Sequence, residues 1–350
     1  MSVTDSDRGN ELAWPQGPRQ SAEARLRLLS VALRVLRIGP ALVLLALMAA
    51  MSLLSPYFLT PRNLGNVLAQ TAVIATLSLG QHLVILTRGI DLSVGSNLAL
   101  CSVVGALLFR VEPSSVLVIL AMLAVGTLVG FVNGAVYVFG KLPHPFIITL
   151  ATLSICKGLA FELSGGQAVS GMPAAVRFLG HETIGWLPVS AILVATVATL
   201  LAVMARRMVW GRWLYAVGGQ PEAALRAGIP VRWVLVSAYV ISGFLAGVGA
   251  IIVSGRTNAG SGLFGDLAEL DSIAAVIIGG ASFLGGRGHV GHALIGAIMI
   301  GVLRNALNLL NVDIFFQLIV IGIVIVLAVE ADVIRARLEE RFRVHQAALA

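Results

Sequence analysis

Two carboxylates stand at the heads of apolar runs in this chain, Asp91 in "GIDLSVG" (89–95) and Asp271 in "ELDSIAA" (269–275). An Asp at such a place caps a helix. Asp91 is placed to accept from the free amide of Ser93 or Val94, and its charge complements the positive end of the helix dipole. Ser93, Ser96 and Asn97 follow within two turns. They serve either close helix packing or a polar pathway through the membrane, and Asn97 is the costliest to leave unpaired in hydrocarbon. Asn133 lies beside Gly126, Gly130 and Gly134, whose spacing of four makes a smooth face for a neighbouring helix. Asn305 and Asn308, three apart on one face, either bond a neighbour or line a pore mouth. Asp91, Ser93, Asn97, Asn133, Asp271 and Asn305 are therefore the candidates for a translocation pathway. Lys157, deep in an apolar run, needs a partner, water or a snorkelling route.

Other chemistry is missing. The Gly140-Lys141 pair is followed by Leu142 and lacks the glycine five residues earlier, which excludes a phosphate-binding loop. His181-Glu182 has no second His at zinc-protease spacing. No span carries the paired carboxylates of a proton relay. Neither a catalytic constellation nor a cofactor or metal site is expected, so the energy for any uphill transport comes from another chain. Cys101 and Cys156 fall inside apolar runs and read as small packing residues.

The elements that position these residues are membrane spans. Of 350 residues 58% are hydrophobic and only 12% charged, with a mean hydropathy of +0.94. Soluble domains carry about a quarter charged residues. Ten apolar runs near 38–55, 66–86, 92–109, 115–138, 145–163, 188–205, 233–253, 270–284, 290–306 and 312–329 predict an all-α, polytopic membrane protein. The runs near 92 and 270 are short, and the second reads as broken or re-entrant. The shared Asp of 89–95 and 269–275 hints at two related halves.

Net charge is +7, and its distribution follows membrane topology rather than nucleic acid. Eighteen of the 24 Lys and Arg fall in the segments on the N-terminal side of the membrane and five (Arg62, Arg110, Arg177, Arg256 and Arg304) opposite, with Lys157 left inside a span. Both termini are expected in the cytosol. The organisation is then a cytosolic arm (1–37), ending in an amphipathic helix over 23–37, a membrane domain (38–330) and a cytosolic tail (331–350). The N-terminal apolar run starts too late for a cleaved signal peptide. On the outer side, 164–187 and 254–269 are rich in Gly and Ser, with room to meet something there.

The longest internal polar loop, 206–232, contains "PEAALRAG" (221–228). Pro221 suits a first helical turn, Glu222 its dipole, and Gly228 a C-terminal stop. Ala223, Ala224 and Ala227 keep this helix slim enough to lodge in a groove of a partner.

Four ordered stretches, "ILTRGIDLSVGS", "NGAVYVFGKLPHPFIITLATLSICKGLAF", "GRWLYAVGGQPEAALRAGI" and "LDSIAAVIIGGASFLGGRG", together resemble the permease subunits of bacterial ABC sugar importers, the ribose-type family, over residues 56–330. The resemblance implies a ten-span permease that pairs with a second permease chain, identical or related, in the bacterial inner membrane. It also implies a cytosolic ABC ATPase that binds the ATP and Mg, and a periplasmic sugar-binding protein. Gly218, Gly219, Glu222, Ala223, Ala224 and Gly228 would form the ATPase-coupling segment. Departures are His144, Gln220 and Arg88, where that family commonly has Pro, Asn, and Gly or Ala. Alternatives on the same scaffold are a permease for nucleosides or branched-chain amino acids. From another class comes a secondary transporter driven by an ion gradient.

Overall fold

The computed structural model describes residues 39–347; the expected N-terminal arm, with its amphipathic helix, lies outside the described residues. The chain divides into two units, one of residues Pro40–Asp332 and one of Met1–Gly39 with Val333–Ala350. The first is the helical membrane body.

Its helices follow the expected spans closely. They are α1 (Gly39–Leu54), α2 (Pro61–Leu86), α3 (Val94–Val111), α4 (Ser115–Phe139), α5 (Phe146–Ser164), α6 (Ala174–His181) and α7 (Val189–Arg207). Then come α8 (Val209–Gly219), α9 (Pro221–Arg226), α10 (Val231–Thr257), α11 (Ala268–Ile278), α12 (Val290–Leu309) and α13 (Ile314–Ala347). Among the described residues eight helices are long and apolar enough to cross a membrane, the last over Ile314–Ala331. The shorter α1 and α11 stand where the other two spans were expected. α11 has only 11 residues and stops at Ile278, so the run expected over 270–284 is half a span followed by a turn. Pro61 opens α2 behind the Thr60 cap, whose Oγ1 accepts from Asn63 N–H, and left-handed Gly165 (φ 63°) closes α5.

The other helices pack around a central pair. α2 and α10 run antiparallel through the centre, with Gly80 against Ser242, Leu77 against Gly249 and Ala69 beside Arg256. α3 and α4 pack on α10, while α11 and α12 pack on α2. The α4–α10 contact is made by the Gly126, Gly130 and Gly134 row. A Cβ at Gly130 would run into the Tyr239 carbonyl, and one at Gly134 would stand 2.9 Å from Val236 Cα. Backbones this close gain dispersion contacts that larger residues forbid. On the other side Gly301 of α12 lies against Thr71 of α2. α2 and α10 point in opposite directions; α2 leads into the 18-residue α3 and α10 into the 11-residue α11.

Gly95 at the start of α3 abuts Gly265 just before α11, and a Cβ on either glycine would strike the other's carbonyl. The segments expected as outer loops are ordered by each other. Val169–Ser170 (β1) pairs antiparallel with Ala259–Gly260 (β4), and Thr183–Ile184 (β2) with Leu187–Pro188 (β3). α6, which the sequence reading took for loop, packs on α10 through Gly180 and Gly255.

Candidate coupling segment and polar core

Asp91 sits where the chain turns back from α2 towards α3, and it is 1% exposed. Its Oδ1 accepts from Ser93 N–H (3.0 Å) and Ser93 Oγ (2.7 Å), while Oδ2 accepts from Ser242 Oγ of α10 (3.1 Å). The amide it caps is that of Ser93, in the turn just before α3. Asn133 of α4 donates to Ser93 Oγ (2.8 Å) and accepts from Thr152 Oγ1 of α5 (2.8 Å). Asn97 donates to the Gly126 carbonyl (3.1 Å) and accepts from the Cys101 thiol (3.5 Å). One buried network thus ties α3, α4, α5 and α10 together. A buried carboxylate or amide is tolerable because its partners are supplied. The structure therefore gathers Asp91, Ser93 and Asn133, with Asn97 one turn away, and their polar atoms are engaged by neighbouring helices.

The remaining two candidates lie elsewhere. Asp271 does not cap α11; it sits in the fourth position of the helix, 6% exposed at its side chain, and pairs with Arg304 of α12 at 2.5 Å. Arg304, expected in an outer segment, is accordingly inside α12. An internal cation offsets a buried carboxylate where a cap would leave its second oxygen unpaired. Asn305 exchanges two amide hydrogen bonds with Asn63 of α2 (3.0 and 2.8 Å), and Asn308 accepts from Gln317 of α13 (2.9 Å). Both asparagines bond neighbours. Lys157 has its partner in Asp266, at 2.9 Å.

The expected coupling segment holds two helices, α8 and α9. α8 escaped the sequence reading, although its buried positions Gly211, Leu214, Val217 and Gly218 keep a helical period. Three bonds fix α8 to the body. Trp210 Nε1 donates to Ser237 Oγ (2.8 Å), Tyr215 Oη to the Gly288 carbonyl (2.7 Å), and Arg88 Nε to the Gly218 carbonyl (2.7 Å). Burial pushes the Tyr215 phenol up from its ordinary pKa. Gly218 is obligatory here, since any Cβ would collide with the Leu86 carbonyl.

α9 then projects as a peg of six residues. Its end is a Schellman closure: Ile229 N–H donates to the Ala224 carbonyl (3.1 Å) and Gly228 N–H, at φ 78°, to that of Leu225 (3.0 Å). Ala224 is buried against the body and serves as the peg's footing. Glu222, Ala223, Leu225, Arg226 and Ala227 are exposed.

Antiparallel central helices, the starts of α3 and the short α11 meeting at Gly95 and Gly265, and an anchored peg describe a polytopic helical membrane protein. The comparisons with known proteins make that specific. Residues 63–329 match the family model described as branched-chain amino acid transport system / permease component. The chain is 40% identical to the ribose import permease protein RbsC of Bacillus subtilis (85% of this chain, 92% of that protein). It is 38% identical to the D-allose transport system permease protein AlsC of Escherichia coli (84% and 90%) and 33% to the L-arabinose ABC transporter permease protein AraH of Azospirillum brasilense (85% and 87%). No solved structure matches. The chain belongs to this family of ABC transport permeases, and it is a multi-pass membrane component of a transporter rather than a catalytic subunit.

Proposed function

We propose that the chain is the membrane-spanning subunit of an ATP-driven importer that passes a monosaccharide into the cytoplasm. ATP and Mg are bound by a separate cytosolic ATPase, a periplasmic binding protein delivers the sugar, and a second permease chain completes the pathway. The names of the relatives support a sugar as solute, since they specify ribose, allose and arabinose.

The observation that carries the coupling role is the peg. α9 presents an exposed Glu222 and an apolar Leu225, 66% exposed, on a footing bonded to three other parts of the body. A push on α9 reaches the turn after α2, the loop before α12 and α10 without passing through a flexible linker. Both termini face the cytosol in this reading, in line with the charge asymmetry. At the opposite end of α10 an open cleft of about 830 Å³, lined by Arg177, His181, Glu182 and Arg256, faces the side from which a delivery protein would approach.

Glu222→Lys tests the reading. The variant protein should insert and fold normally but lose the ATPase on co-purification, or hydrolyse ATP without transport. Unchanged co-purification and transport would remove the docking role. The family's description also names branched-chain amino acids. Competition of labelled ribose uptake by unlabelled leucine, against unlabelled ribose, separates the two solutes.

A further inference from the structure

The polar residues first expected along the solute's route are bonded to neighbouring parts of the bundle. We infer that the route follows the exposed face of α5 and residues 261–270 instead, where Lys157, Phe161, Asp266 and Glu269 form a weak binding subsite for a neutral, polyhydroxylated solute. This deepens the proposed importer function and rests on it.

Lys157 is the twelfth of nineteen residues in α5. At 1.5 Å per residue it lies about 16 Å from one end of the helix and about 10 Å from the other. Its Nζ donates to Asp266 Oδ1 (2.9 Å) and stands 5.5 Å from the centroid of the Phe161 ring. The two charged side chains are 26% and 67% exposed. Charges so placed do not face lipid, so water or polar matter covers this surface. The same row of α5 carries Ala151, Ser154, Gly158 and Glu162, all exposed, and nothing stands within 4 Å of a Cβ built on Gly158. The face of α4 that meets hydrocarbon looks different: Leu117, Leu120, Leu128 and Phe131 are large, apolar and exposed.

The backbone gives an independent reason. Residues 258–267 descend beside α3 without helical structure. Ser261 N–H donates to Ser102 Oγ (3.1 Å), and Gly265 touches Gly95 seven residues further down α3. Irregular backbone at such depth persists only against protein or a water-filled space. Glu269, in the first turn of α11, has its carboxylate beside Gly95.

The chemistry fits a sugar. The Lys157–Asp266 pair offers a donor and an acceptor side by side, as adjacent hydroxyls require, and the Phe161 ring offers a flat apolar face to C–H groups. The Lys157–Asp266 pair is itself neutral, so it offers hydrogen bonds to hydroxyls without a net charge of its own.

The test uses the full complex of permease, ATPase and binding protein in membrane vesicles. Ser154→Cys, Gly158→Cys and, on the adjacent lipid-facing row, Leu159→Cys are exposed to a charged methanethiosulfonate reagent; native Cys101 and Cys156 are buried. The inference predicts labelling at 154 and 158 at least tenfold faster than at 159, slowed several-fold by D-ribose during turnover. Lys157→Met and Asp266→Asn should raise KM for D-ribose about fivefold or more with the ATPase rate retained. Positions 154 and 158 as inert as 159 would overturn it, as would an unchanged KM in both variants. If the complex moves no sugar yet 154 and 158 label rapidly, the importer reading fails and the wetted face stands. If it moves D-ribose while they stay inert, this inference alone fails.

Discussion

Arg88 donates from Nε to the Gly218 carbonyl at 2.7 Å, and its Nη2 reaches the Gly219 carbonyl beside it. The turn after α2 thereby holds the last carbonyls of α8, where the helix dipole is negative and a guanidinium is favoured. Three residues beyond Arg88 comes Asp91, the centre of the buried network. A contact between the coupling segment and the polar core thus passes through one side chain.

Arg88 also carries a backbone signature, φ 66°, that favours glycine. Arg88→Gly removes the tether while relieving about 1 kcal/mol of left-handed strain. The expected result is a melting temperature within a few degrees of the parent and a several-fold fall in sugar moved per ATP hydrolysed. Parallel assays of uptake and phosphate release in proteoliposomes measure that ratio.

Close glycine packing makes a sharp stability prediction. Gly130→Val drives a side chain into the Tyr239 carbonyl and should cost at least about 1–3 kcal/mol, the usual range for overpacking. Gly291→Ala, in the first turn of α12 with nothing near its would-be Cβ, should be neutral or stabilise by up to about 1 kcal/mol. Thermal unfolding of the detergent-solubilised protein orders the two.

The Asn63–Asn305 exchange clips α2 to α12. Asn63→Ala and Asn305→Ala should each destabilise, and the double variant should cost less than their sum by about 0.5–1.5 kcal/mol, the scale of interhelical hydrogen bonds in membranes. Strict additivity in denaturant titrations would show that the pair contributes nothing as a pair.

Much of this was legible in the sequence because hydrocarbon is an exacting solvent. Apolar length alone located the eight helices long enough to cross and the shorter α1 and α11, and the Gly126–Gly130–Gly134 row announced a close neighbour that proved to be α10. "PEAALRAG" announced a capped helix, and Gly228 terminates it as expected. What stayed hidden depended on partners distant in sequence. Asp271 looked like a cap until Arg304, on the next helix, supplied a counter-charge. Which side of α9 meets the bundle was also hidden, because spacing within six residues does not show it; Ala224 proves to be the buried position. Arg88 stood out only as an oddity, since its carbonyl acceptors lie 130 residues away. α8 could have been found from its periodicity, and the polar loop around it masked the signal.

The central claim is that force enters this bundle from a separate ATPase through α9. Its most direct test is uptake of labelled D-ribose into proteoliposomes built with the permease alone, or with ATPase, binding protein and ATP added. The account predicts accumulation only in the complete system, persisting when ion gradients are collapsed. Accumulation by the permease alone under a proton or sodium gradient would contradict it.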